Sequence, residues 1–331
     1  MAVFAIVGAG LAGMTLAREF IDAGHHCQVF EKSRGIGGRL ATRRCDGWQV
    51  DHGAQYFTVR NPHFQQIVDT WCQQGWVAPW PLEPWILDRD GLRPSPDERK
   101  RYVGTPSMNA MIKGFGQGIE VYTQTRVDRL ERVGDQWRLW DDAGEQYGQF
   151  DAVFLTAPLA QSLALLPSGS RAEVPLRNAS MKPTWALAMA FDQPTGVEPD
   201  ALFVREGVVD WAARDSAKPG RDGELEVWLM HFASQWSANH LDAADNLLQQ
   251  QGLTLLRTLL RNIATSDLPT PKQVFTHRWL YARSGPVEMP VPQWDGRLKL
   301  GLAGDWTLGD RLEDAWLSAK ALVADVRTAN F

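Results

Sequence analysis

Cysteine is scarce in this 331-residue chain, with Cys27, Cys45 and Cys72 as its three. An odd count with no CxxC pair argues against a disulfide framework and a cysteine-held zinc site, and fits a reducing, cytoplasmic setting. No other metal site is expected. The chain also lacks a basic excess. Its 34 Lys and Arg against 39 Asp and Glu leave a net charge of -5, which argues against nucleic acid or an anionic membrane as partner. No apolar run approaches the roughly 20 residues a membrane-spanning helix needs. The apolar N-terminus has no basic segment ahead of it and is broken by Gly8, so it reads as a first strand and not as a signal peptide. Internal repeats, low-complexity tracts and long linkers are missing too.

What is present is ordinary globular material, 44% hydrophobic and 22% charged. The length suits two packed domains better than one. Tryptophan is abundant, at 15 residues, and most are expected in the core. Val3 to Val7 reads as a buried parallel strand, Leu11 to Ala23 as a helix stopped by Gly24, and Cys27 to Phe30 as a second strand, which together form a βαβ unit. Asn61 to Gln74 reads as a helix, Pro79 to Tyr102 as a loop, and Thr105 with Pro106 as the start of a further helix. Val121 to Trp140 suggests a β-meander, followed by a strand at Ala152 to Leu155. TWALAMAF, ALFVRE, ELEVWLMHF, KQVFTHRWLYA and RLKLGLAGD are strand-like, and DSAKPGRDGE is a polar loop. Asp242 to Ile263 and Asp310 to Ala329 are the closing helices.

Gly8, Gly10 and Gly13 match GxGxxG between a strand and a helix. Gly8 permits the tight turn, Gly10 lets backbone approach a pyrophosphate, and Gly13 lets helix and strand pack closely. The helix N-terminus then meets the anion with free N–H groups and the positive end of its dipole. Glu31, at the end of the second strand, is placed to accept hydrogen bonds from ribose hydroxyls. SRGIGGRLATRR adds Gly37, Gly38 and Arg39 just beyond that acid. A nicotinamide-only Rossmann domain has no particular need of this second glycine turn, whereas a longer dinucleotide such as FAD does. Arg39 is expected near the FAD pyrophosphate, and Arg34, Arg43 and Arg44 either stay solvated or meet substrate phosphates. At the far end, LAGDWTLGDRLEDAWLSA sets Gly304 and Asp305 at a strand end before a helix. Asp310 and Glu313 have capping-box spacing, and Leu312, Ala315, Trp316 and Ala319 form the helix's apolar stripe. Such a helix start would favour the negative charge a flavin gathers on reduction.

Three stretches, GAGLAG…FEK, GIGGR…TRR and GD…LEDAWLSA, resemble the flavin amine oxidase superfamily. DHGAQYFT, KPTWALAMAF, DWAARDSAKPGRD, WLMHFASQWS and HRWLYAR resemble, more narrowly, the bacterial renalases, over nearly the whole chain. The resemblance implies an α/β fold: a Rossmann-like FAD-binding domain of p-hydroxybenzoate-hydroxylase-like topology, with a second α+β substrate domain containing a mixed sheet. The first is assigned residues 1–60, 103–165 and 275–331, the second residues 61–102 and 166–274. Besides the glycines, Glu31, Arg39 and Asp305, it places Leu11, Ala12, Lys32, Gln55, Tyr56, Arg311, Leu312, Glu313 and Ala315 at FAD, and has Val127 pair its backbone with adenine. Covalently flavinylated relatives attach FAD through a cysteine near the C-terminal motif; this chain has none after Cys72, so FAD is expected to be non-covalent.

The implied activity is oxidation of misreduced nicotinamide dinucleotides, the 2- or 6-dihydro isomers of NAD(P), with dioxygen reoxidising the flavin to give hydrogen peroxide. Hydride transfer from a dihydropyridine needs positioning and no general base. Tyr56, Trp228, His231, Trp279 and Tyr281 are the candidate walls of the donor pocket, their aromatic faces suited to a cationic product. His52 replaces the smaller or apolar residue expected between Asp51 and Gly53. Lys272 and Lys299 show no inward placement of the kind amine-oxidising relatives use for a lysine beside the flavin. Two other readings stay open: a FAD enzyme acting on an amine or polyene, and a flavoprotein that binds without turnover. A monomer or weak dimer is expected.

Overall fold

The computed structural model describes residues 1–176, 179–261, 263–264, 267–285, 291 and 293–329. Residues 286–290, 292 and 330–331 of the segment assigned to the FAD-binding domain lie outside them, as does residue 262 of the expected Asp242–Ile263 helix. Val3–Val7 sits inside a six-stranded sheet. The order runs Trp294–Asp295, Leu300–Leu302, Ala152–Leu155, Val3–Val7, His26–Glu31, Glu120–Thr123, parallel throughout except for the first strand. VFAIV is continuously apolar because both faces of this sheet are covered. Phe4 and Ile6 pack towards the Leu11–Asp22 and Leu312–Thr328 helices, while Ala5 and Val7 meet Trp137, Leu139 and Phe150 of a three-stranded meander. The meander is Val127–Val133, Gln136–Asp141 and Gln146–Phe150; Glu120–Thr123, expected in it, completes the parallel sheet instead.

The second sheet has seven strands, in the order Gln273–Ser284, Met181–Phe191, Glu226–Phe232, Val209–Arg214, Ala201–Val204, Trp85–Asp88, Gly91–Pro94. It is mixed: Ala201–Val204 runs parallel to Trp85–Asp88 and the other pairs are antiparallel. Strand alternation divides its side chains between two faces. Leu187, Met189, Trp228 and Met230 lie on the face that Leu248, Leu256 and Leu260 of the Asp245–Leu260 helix cover. Gly252 of that helix allows the approach, since a Cβ there would stand 1.9 Å from Leu187. Ala186, Ala188 and Ala190 turn the opposite way, against Trp48 and Val50 of the Thr42–Cys45/Trp48–Asp51 hairpin.

Several expectations need correction. Gln273–Ser284 is hydrogen-bonded into the second sheet, so residues 275–284 leave the first unit. The Pro62–Gln73 helix, expected in the second unit, packs on the first, with Phe64 tilted on Trp316 at 5.3 Å. Asn61, read as its first residue, caps it instead, accepting from the His63 and Phe64 N–H groups. The supposed loop from Pro79 to Tyr102 holds four short strands, too brief for their periodicity to stand out. Thr105 donates its N–H to Trp76 and extends a strand pair; the helix begins at Ala110. Val209–Arg214 is a strand that its central Asp210 and flanking charges concealed.

The largest departure concerns DSAKPGRDGE. Asp215, Lys218 and Arg221 of this polar segment are buried, and so is Asp51 of the hairpin. Lys218 Nζ lies between Asp215 and Asp51, 3.3 Å from the latter, and Arg221 reaches the same Asp51 oxygen. Thr42 Oγ1 and the Met108 N–H also donate to Asp51. Burial alone would raise the Asp51 carboxyl, but Lys218 and Arg221 outweigh it and hold it at about 2. Each of these four buried groups faces one of opposite sign. They tie the hairpin of the nucleotide unit to the second sheet.

Candidate active site

The two sheets enclose one large cavity of about 2140 Å³. Pockets for a single small ligand usually span about 300–1,000 Å³, so this space suits a dinucleotide cofactor together with a second molecule.

Its floor is made mainly of backbone. Gly8 has φ +114° and donates its N–H to Phe30, which fixes the turn. At Gly13 a Cβ would stand 2.0 Å from the Gly8 carbonyl, so this glycine serves helix–strand packing and does not border the cavity. A Cβ at Gly10 would meet no protein atom within 4 Å; it would project into the cavity. Leu11 and Ala12 follow it along the wall, at a helix start with no side-chain cap. Buried Glu31 accepts from the Ala9 and Ser33 N–H groups, clasping the glycine turn to the segment after it. Lys32, Gly38 and Val127 border the same end.

Gly304 and Asp305 meet this floor as expected. Arg39 does not stand free beside it. Its guanidinium is paired in a fork with Asp305, at 2.7 Å for one of the two bonds, and also donates to the Ala282 carbonyl. The two distant motifs, GIGGR and LAGD, thus find each other. Arg311, Leu312 and Ala315 border the cavity, but Glu313 does not. Glu313 is buried and accepts the N–H groups of Arg60 and Asn61, joining the C-terminal helix to the segment before Pro62. The capping partner is Asp314, which reaches back to the Arg311 N–H, in place of the Asp310/Glu313 pair.

The ceiling is a row of side chains across the second sheet. Phe203 pairs with Trp211, Trp211 with His231, His231 with Ala186, and Ala186 with His277. Directly paired residues share a face, and Phe203, Trp211, His231 and His277 all border the cavity. Phe275, Trp279 and Tyr281 continue on the same strand at alternate positions. His52 is tied into this ceiling. Its carbonyl accepts from Trp279 Nε1 at 2.8 Å and lies 3.2 Å from His231 Nε2, and its ring stacks on Trp279 with centroids 5.1 Å apart. Gln55 is held by the Asp51 and Gly53 carbonyls and by Lys218. Tyr56 leans on Trp211 at 5.4 Å, beneath the guanidinium of buried Arg101.

Trp228 is not part of this ceiling. It is fully buried on the opposite face, its indole N–H bonded to Glu226 and Thr195. Positions 228 and 231 differ by an odd number, so one strand cannot turn both to the same side. Trp211 and Phe203 stand where Trp228 was expected. Recognising VDWAAR as a strand would have revealed Trp211.

Burial lowers each of the ceiling imidazoles. Burial, reinforced by His277 and His231, pushes His52 down to about 3; burial and the nearby Arg283 bring His231 to about 4. His277 is lowered by burial and by Arg43.

A Rossmann-type dinucleotide floor roofed by a mixed sheet defines a class: flavin-dependent oxidoreductases of two-unit architecture. A model of the flavin containing amine oxidoreductases matches residues 95–327, and one of NAD(P)-binding Rossmann-like domains matches residues 6–71. The chain belongs to the flavin containing amine oxidoreductase family. The chain is 25% identical to a coproporphyrinogen III oxidase of Mycobacterium bovis over 209 residues, 60% of this chain and 44% of that protein. An L-amino-acid oxidase of Siganus canaliculatus is 49% identical over 85 residues, 25% of this chain and 15% of that one. The chain thus spans less than half the length of the curated relatives it matches. In fold it is similar to cyclohexylamine oxidase from Brevibacterium oxydans, with TM-score 0.75, 13% identity, and coverage of 98% of this chain and 99% of the other. An oxidoreductase from Methanosarcina mazei gives TM-score 0.69 at 13% identity, covering 97% of this chain and 100% of the other.

FAD is the cofactor of this family, and the floor fits it: an open place at Gly10, an uncapped helix start, and a carboxylate at Glu31. None of the three cysteines borders the cavity. Among the described residues no helix is long and apolar enough to cross a membrane.

Proposed function

We propose that this protein oxidises misreduced nicotinamide dinucleotides, the 2- or 6-dihydro isomers of NAD(P), to NAD(P)+. The observation that carries the reading is the chemistry of the ceiling. The row of Phe203, Trp211, His231 and His277 offers flat aromatic and imidazole faces with no carboxylate or lysine in the row, the Arg101 and Arg205 guanidinium groups lying over the Phe203 ring. FAD, when bound, supplies the two-electron acceptor and passes the electrons to dioxygen, with formation of hydrogen peroxide. A dihydropyridine surrenders hydride with no proton to remove, so its oxidation asks the protein to position and to exclude water. An amine donor arrives protonated and needs a group to take that proton. Imidazoles held at about 3 and about 4 are poor acceptors at neutral pH. The oxidised nicotinamide is a cation, which the faces of Trp211 and Trp279 can support.

The test is anaerobic mixing of the yellow protein with 2-dihydroNAD, 6-dihydroNAD and cyclohexylamine, followed by flavin absorbance. Rapid bleaching by a dihydro isomer and none by the amine is expected. Bleaching by the amine alone would replace this reading with amine oxidation.

A further inference from the structure

Thirteen Lys and Arg residues border the cavity against six Asp and Glu, in a chain whose net charge is -5. Part of this excess is already neutralised. Arg39 pairs with Asp305, Arg99 with Asp97, and Arg311 with Asp314. Arg43, Arg44 and Lys113, all exposed, have no carboxylate partner among the described residues, and all three border the cavity. Arg43 and Arg44 are consecutive on the Thr42–Cys45 strand, so they leave it on opposite sides. The Arg43 guanidinium lies 5.3 Å from the centre of the Phe275 ring, close enough to His277 to lower it. Arg44 is close enough to Lys113, in the Ala110–Phe115 helix, to add to the effect of burial in lowering that amine. Arg43 thus stands at the ceiling side of the Thr42–Cys45 strand and Arg44 on its other side, and with Lys113 they line the cavity with positive charge that has no carboxylate partner. Like charges gathered without counter-charge are unfavourable, and a bound anion would relieve them.

We propose that Arg43, Arg44 and Lys113 form an anion subsite that holds a phosphate of the electron donor while the donor's ring lies under the ceiling. The assignment rests on the reading of the substrate as a nicotinamide dinucleotide. It is separate from the Gly8–Gly13 turn, which serves the cofactor. The subsite selects donors that carry phosphate, and it acts on binding and not on the hydride step.

Two measurements on the FAD-loaded protein test it. The first is calorimetric titration with ADP-ribose, which carries the donor's pyrophosphate without its ring, with inorganic phosphate as a second arm. ADP-ribose should bind, and R43Q/R44Q should weaken it about tenfold, the loss of one to two charge-assisted contacts at an exposed site. K113Q should weaken it about threefold, and Arg89→Gln, exposed and outside the cavity, should change nothing. The second compares dihydronicotinamide dinucleotide with its phosphate-free riboside. In R43Q/R44Q the KM for the dinucleotide should rise about tenfold, that for the riboside should stay, and kcat should stay for both. Equal affinity of ADP-ribose for both proteins, or a dinucleotide-to-riboside KM ratio unchanged by substitution, overturns the subsite. Binding of inorganic phosphate as tightly as ADP-ribose reduces it to a general phosphate site and overturns the link to the donor. If no dihydronicotinamide bleaches the flavin, the proposed reaction falls, and the ADP-ribose titration still decides the subsite.

Discussion

The floor and the ceiling of the cavity are built by different means. The floor presents backbone: glycines that keep space open, N–H groups at a helix start, and Glu31 clasping two turns. The ceiling presents side chains, each brought there by its position in a seven-stranded sheet. Backbone binds what all dinucleotides share, a pyrophosphate and riboses. Side chains on a sheet face can be exchanged one by one without disturbing the ladder beneath them. One surface fits the cofactor of the family, and in the proposed reading the other meets the donor.

The sharpest way to break this division is at the glycines. Gly10→Val should leave the protein folded, because a Cβ there meets no protein atom within 4 Å, yet abolish FAD retention. Gly13→Val should prevent folding, since its Cβ would strike the Gly8 carbonyl. Flavin content and circular dichroism of the two variants check this; a yellow Gly10→Val protein contradicts it. Next comes the link between the two surfaces. Asp51→Ala leaves Lys218 and Arg221 buried and under-compensated, and should cost about 3–5 kcal/mol in urea unfolding. Wild-type stability should also depend on this carboxyl in acid. With a folded value of about 2 against 3.8 unfolded, its contribution is complete above about pH 4 and is lost as the pH falls towards 2.

Trp228 and Trp211 sharpen the comparison within one sheet. Trp228→Ala removes a fully buried indole and should cost about 3–5 kcal/mol of stability with donor KM unchanged. Trp211→Ala should raise donor KM by up to about tenfold, the upper range for an aromatic contact, with FAD content unchanged. The smallest effect is expected of pH. The rate of flavin reduction under anaerobic mixing should stay flat between about pH 7 and 8.5, because His52 and His231 titrate only near 3 and 4 and burial holds His277 below its usual value. Stability should still fall in acid. Below about pH 6.5 the unfolded chain takes up protons that folded His231 refuses until about 4.

The floor was legible from residue spacing because its parts lie within a few turns of one another. Val3–Val7, the glycines, and Glu31 at the end of the next strand form one local unit, and Gly304–Asp305 announced themselves by a strand end before a helix. Even there, contacts between distant segments were hidden. The chain order does not show that Arg39 forks onto Asp305, or that Glu313 turns away from the cavity to hold Arg60 and Asn61. The ceiling was legible only in part. His231, Trp279 and Tyr281 were found as aromatic or imidazole residues on strands, but Trp228 was placed with them against the alternation of its own strand. Trp211 was missed because VDWAAR was not read as a strand, and Phe203, on the strand read from ALFVRE, was not picked out as a wall. DSAKPGRDGE read as solvated because charged residues usually are; its charges are buried because their partners wait on a hairpin more than 160 residues earlier.

By itself the sequence determined the dinucleotide turn, the acid that follows it and the longer strands and helices, since each depends on neighbours within a few residues. Tertiary structure decided which face each strand turns inward, which carboxylates pair with which cations, and so what the cavity offers a donor. Those choices depend on register between strands and on charge compensation between remote segments, and they take effect only when the two sheets close on each other.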